Sequence, residues 1–128
     1  MEATFEEKKY AITKVYINYN IEDFYLDYLC ASGTNISMTL FLKPRFNSKE
    51  NNATSSFFNK HELSYSKVEI EGDPYDFDNL IIEIEKENTK HLSIKAKGLV
   101  YEEYDEDPRV EFSFKVIAEI TPFIKPKE

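Results

Sequence analysis

Val110-Glu111-Phe112-Ser113-Phe114-Lys115-Val116-Ile117-Ala118-Glu119-Ile120 is the stretch that decides the fold class of this chain. Val110, Phe112, Phe114, Val116, Ala118 and Ile120 fall on one side of an extended backbone. Glu111, Ser113, Lys115 and Glu119 fall on the other, with Ile117 the exception. A period of two gives a strand one buried face and one wet face; on a helix the same residues would be scattered around the cylinder.

Working outward, the same period recurs. Leu80, Ile82 and Ile84 alternate with Glu83 and Glu85, and Leu92, Ile94 and Ala96 alternate with Ser93, Lys95 and Lys97. The polar link Lys86-Glu87-Asn88-Thr89-Lys90 joins them, so 80–97 reads as a β-hairpin. Ile36, Met38, Leu40 and Leu42 form another alternating run, and Ile12 to Tyr19 and Leu63 to Ile70 are weaker strand candidates. Gly33, Gly72, Gly98, Pro44, Pro74, Pro108 and Pro122 read as punctuation where these patterns stop.

Residues 21–31 carry two patterns. Ile21, Phe24, Tyr25, Tyr28 and Leu29 fit a helical face with Asn20 as N-cap, while Phe24, Leu26, Tyr28 and Cys30 fit one side of a strand. The polar run 47–56 reads as a loop, with Phe57-Phe58 anchoring it on the core, and the tail 125–128 as frayed. The expectation is a single all-β domain over 1–128. It would be an antiparallel β-sandwich or open barrel of about seven strands, with at most one short helix, at 21–31.

Composition narrows the function classes. The chain has 128 residues, ten Phe and nine Tyr, enough aromatic surface to build a core. Its formal net charge of −8 opposes phosphate backbones and anionic membranes and favours a basic partner, so neither nucleic acid nor membrane is expected. Cys30 is the only cysteine, which excludes an intrachain disulfide. The N-terminus is polar and acidic, unlike a secretory signal, and the expected location is the cytoplasm.

No motif carries catalysis. Cys30, His61 and His91 are far apart in sequence and are too few for a structural zinc set, so no enzyme activity and no cofactor are expected. Carboxylate-pair glycoside hydrolysis lacks the tryptophans that usually stack sugars. The acid-rich segments 72–79 and 105–107 suggest a Ca²⁺-dependent interaction module, although Asp, Asn, Gly and Pro are also ordinary turn formers. The aromatic content suggests a small-molecule or lipid pocket as a further alternative, against the plainer reading that these rings fill a core.

The best candidate site is Tyr101-Glu102-Glu103-Tyr104-Asp105-Glu106-Asp107, followed by Pro108, on the connection before the decisive strand. Charge runs are usually solvated turns, but a solubility loop has no need of tyrosines. Tyr101 and Tyr104 suit desolvated anchor contacts, and Glu102, Glu103, Asp105, Glu106 and Asp107 suit a basic protein surface.

The strands Asn79-Leu80-Ile81-Ile82-Glu83-Ile84, Leu92-Ser93-Ile94-Lys95-Ala96-Lys97-Gly98 and Val110-Glu111-Phe112-Ser113-Phe114, with Asp23-Phe24-Tyr25-Leu26-Asp27-Tyr28-Leu29, cover about half the chain. Their succession resembles small β-rich immunity proteins of bacterial contact-dependent and polymorphic toxin systems, of the WapI type. The resemblance implies a cytoplasmic, non-enzymatic protein that blocks the active site of a cognate basic toxin domain, often a nuclease.

Overall fold

The computed structural model describes residues 1–20, 25–42 and 53–120, and in them every regular element is a strand. The strands are β1 (Glu2–Phe5), β2 (Lys8–Asn20), β3 (Tyr25–Gly33), β4 (Ile36–Phe41), β5 (Ala53–Asn59), β6 (Lys67–Ile70), β7 (Asp73–Lys86), β8 (His91–Glu102) and β9 (Asp105–Glu119). Antiparallel pairing runs β7-β6-β4-β3-β2-β1-β9-β8 and returns to β7, closing an eight-stranded barrel. β8 pairs with one edge of β7 along most of its length. β6 takes Asp73–Asp76 on the other edge, and β5, the ninth strand, takes Asn79–Glu85.

The expected sandwich or open barrel of about seven strands is therefore corrected to a closed barrel of eight with one added strand. Alternation shows that each strand buries one face; it does not show whether the sheet curls back on itself. Closure depends on β1, four residues whose Ala3 and Phe5 point inward and which bridge β2 and β9. Closing the sheet also removes edges that would otherwise template aggregation.

The helix expected within 21–31 is not formed over the part described: Tyr25–Gly33 is β3, and 21–24 lie outside the described residues. Asp27 is an extra residue in the β2–β3 ladder. It resets the alternation, so Leu26, Leu29 and Ala31 are buried while Tyr28 and Cys30 face out. The reset puts Leu26 on the opposite face from Tyr28 and Cys30, which the strand reading had placed on one side. Of the loop expected at 47–56, 53–56 belong to β5 and the rest lies outside the described residues, as does the tail 125–128. The candidate strand 63–70 shortens to β6, because Lys60–Tyr65 form turns. Phe58 joins the core at 1% exposure, whereas Phe57 on the opposite face is 61% exposed.

Gly98 is not punctuation. It sits inside β8, paired with Leu80 and Phe112. A Cβ there would lie 2.0 Å from the Asn79 carbonyl oxygen, so the residue permits a close backbone approach between β7 and β8. Pro74 and Pro108 likewise lie within β7 and β9, near their starts.

Inside the barrel, Phe77 packs edge-on against Phe112 at 5.9 Å between ring centres, and Phe112 against Phe114 at 6.2 Å. Leu80, Ile82, Leu92, Ile94, Val100 and Val116 are fully buried around them. Burying such side chains supplies about 1.5–3 kcal/mol each, the main force holding the barrel closed.

Candidate protein-docking end of the barrel

Up-and-down connectivity gathers four two-residue turns at one end: Glu6-Glu7, Thr34-Asn35, Glu71-Gly72 and Glu103-Tyr104. Contacts between the turns tie this end together. Lys8 Nζ donates to Glu71 Oε1 at 2.8 Å, and the Glu71 amide donates to the Asn35 carbonyl at 2.8 Å. The Glu103 amide donates to the Pro74 carbonyl at 3.2 Å, and Lys67 Nζ to Glu103 Oε1 at 3.0 Å.

The centre of this end is Tyr75, whose ring meets Phe5 edge-on at 4.9 Å. Burial raises the pKa of its hydroxyl, and the carboxylates of Glu102, Asp73 and Glu6 raise it further. Glu102 lies directly across from Tyr75 in the β7–β8 ladder, Asp73 opens β7 and Glu6 lies in the β1–β2 turn, so carboxylates from three hairpins border Tyr75, with Lys8 and Lys67 at the same end. Glu71 stands beside them, its own pKa lowered by its hydrogen bond from Lys8, and Lys8 is raised in return.

The acidic segment chosen from sequence contributes to this end unevenly. It is not a loop of eight residues but a turn at Glu103-Tyr104 flanked by β8 and β9. Beyond Asp105, β9 arches away from β8, so that Glu106–Arg109 stand opposite Tyr101 alone. Tyr101 is buried at 5% exposure, with Lys60 Nζ 4.9 Å above its ring. Tyr104, at the tip, is 92% exposed. Glu102, Asp105 and Asp107 are exposed, and Glu103 is half-buried against Lys67. Glu106 lies in the arch, and its side chain is outside the described part of the structure. Asp105 Oδ1 accepts the Asp107 amide at 3.4 Å, which helps shape the arch.

The two acid-rich segments considered for Ca²⁺ do share this end, but a guanidinium bridges them. Arg109 Nε lies 3.0 Å from Asp78, and its Nη1 lies 3.9 Å from Asp107. Among the described residues no group of three or more His, Cys, Asp or Glu is placed to hold a metal ion. Cys30 lies on the outer wall of β3, His61 in the β5–β6 turn segment, and His91 at the start of β8 with Nδ1 3.1 Å from Asn88. An open groove of about 640 Å³ flanks this end along the outer wall, lined by Glu6, Glu7, Lys97, Arg109 and Glu111 among others.

Sequence reasoning missed Glu6, Glu7 and Glu71, and it weighed Asp73 only for Ca²⁺, within 72–79. Two-residue hairpin turns are recognised by Asn-Gly or Asp-Gly, and here Glu occupies positions at positive φ: +49° for Glu6, +66° for Glu7 and +52° for Glu71. The available signal was a charged dipeptide interrupting an alternating pattern. Comparison with known proteins returns no match for this chain: no family model, no curated protein and no solved structure.

Proposed function

We propose that this chain is a non-enzymatic inhibitor, an immunity protein that neutralises a bacterial toxin by seating its acidic barrel end over the toxin's basic active-site cleft. One observation carries the reading: Glu6, Asp73 and Glu102, from three separate hairpins, border Tyr75, with the fully presented ring of Tyr104 at the same end. Carboxylates grouped this way steer a basic partner during encounter, and an exposed tyrosine supplies area that is desolvated on contact. Tyr101 has a different role from the one its sequence suggested. Buried under Lys60, it braces the hairpin that presents Tyr104.

The packed aromatic interior of the described residues supports an external binding surface over the lipid-pocket alternative. The guanidinium between the acidic segments supports a cationic protein group, rather than Ca²⁺, as their natural counter-charge. The test is to look for a toxin domain encoded beside this chain's gene and to co-express the two; an isolated gene counts against the proposal. Growth restored by the chain, and lost when Glu6, Asp73 and Glu102 are reversed to lysine in a folded variant, supports the proposal. Toxicity that persists with the unaltered chain present refutes it.

A further inference from the structure

One wall of the barrel breaks the charged pattern of the rest. Three cross-strand rows face outward on β2, β3 and β4. The middle row is Tyr16, Cys30 and Thr39, and the next is Asn18, Tyr28 and Phe41. The third begins at Lys14, the only charged residue among the nine positions. The equivalent three rows on β7, β8 and β9 carry five charges in nine positions: Glu83, Glu85, Lys95, Lys97 and Lys115. On the charge-poor wall the rings form a continuous strip. Tyr16 meets Tyr28 at 6.0 Å and Tyr28 meets Phe41 at 5.2 Å, with Tyr16 63% and Phe41 44% exposed.

Aromatic enrichment with charge depletion is the composition of an interface core. A basic partner has no electrostatic reason to choose this wall. For a chain of net charge −8, however, it is a wall where two copies meet without bringing carboxylates together. We propose that it is a self-association surface: two copies stack these walls face to face about a two-fold axis, with the Tyr16–Tyr28–Phe41 strips interleaved. Three strands by five residues cover only about 240 Å² of flat sheet, well under the roughly 800 Å² per partner of a standard interface. The pairing is therefore weak and reversible, and it leaves both acidic ends free, so it stands independently of the inhibitor reading.

Sedimentation velocity on the whole chain, from about 10 µM to about 1 mM, tests it. The expected result is a monomer–dimer equilibrium with a dissociation constant of order 10⁻⁴ M. Tyr16→Lys or Phe41→Lys, each confronting its own copy with a new charge, should weaken it at least about tenfold. Ile117→Lys, at an equally exposed apolar position on the charged wall, is the control and should leave it unchanged. Unaltered melting temperatures would show that the variants remain folded. A chain that stays monomeric throughout, or a dimer that Ile117→Lys disrupts as strongly as Tyr16→Lys, overturns the proposal.

Discussion

Replacing Gly98 with alanine should destabilise the barrel strongly, as should the same change at Gly33, where a Cβ would lie 1.8 Å from the Ala11 carbonyl oxygen. At Gly98 the added Cβ would sit 2.0 Å from the Asn79 oxygen, 2.9 Å from its carbonyl carbon and 2.9 Å from the Leu80 Cα. All three are backbone atoms of the paired strand, so no flexible side chain can swing aside. β7 and β8 must part locally, straining the ladder between Leu80–Gly98 and Gly98–Phe112. Overpacking of this kind costs about 3 kcal/mol, which for a chain of this size lowers the melting temperature by about 10 °C. Gly72 is the internal control. Its φ is +87°, but a Cβ there meets nothing within 4 Å. Gly72→Ala therefore carries only the left-handed backbone penalty of about 1 kcal/mol, or about 4 °C. Thermal melts followed by far-UV circular dichroism and urea titrations compare the two directly. If Gly98→Ala is no more damaging than Gly72→Ala, the close approach of β7 and β8 is wrong, and with it the tight curvature of the barrel wall.

Other substitutions separate stability from function. Replacing Glu6-Glu7 by Asn-Gly suits their positive φ values of +49° and +66° and should stabilise the chain by about 1–2 kcal/mol in urea titration. The same change removes two carboxylates from the acidic end, so on the proposed function it should slow association with a basic partner even as the melting temperature rises. Phe58→Ala should cost about 3–5 kcal/mol, whereas Phe57→Ser on the exposed face should stay within about 0.5 kcal/mol. Tyr75 provides a pH test. Burial, then Glu102, Asp73 and Glu6, raise its pKa above the ordinary 10.0, so the folded chain holds that proton after the unfolded chain has released it. Its contribution is complete below that ordinary value and is lost as pH climbs through the raised one. Tyr75→Phe should therefore flatten part of the alkaline decline in stability; an identical decline would contradict the clustering around Tyr75.

The strands most legible in the sequence were those with unbroken alternation. The run from Val110 to Ile120 and the hairpin 80–97 stand in the structure as the core of β9 and as β7–β8. Legibility failed where a bulge shifts the beat. Thr13 and Asp27 each add a residue to one strand of the β2–β3 ladder, and around Asp27 the shift splits Leu26 from Tyr28 and Cys30, which unbroken alternation would put on one face. Closure was out of reach because it depends on which edges meet, and the deciding strand, β1, is too short to show a period. The acidity of 101–107 was plain in sequence. The burial of Tyr101 was not, because its cover, Lys60, comes from a distant turn. The shared position of these acids was invisible for the same reason: only the alternating direction of the strands brings Glu6, Glu71 and Asp73 to the same end.

The most direct test of the inhibitor reading begins by asking whether a toxin domain is encoded beside this chain and, with that domain in hand, measures the association rate between the two by stopped flow across ionic strength. The acidic-end account predicts a fast rate that falls steeply with salt. Reversing Glu6, Asp73 and Glu102 to lysine should slow it by about 100-fold at low salt. Reversing Glu83, Glu85 and Glu119 on the outer wall changes net charge equally and should slow it by no more than about threefold. Equal slowing by the two variants would mean that net charge, and not the barrel end, does the steering; failure to form any complex would contradict the account outright.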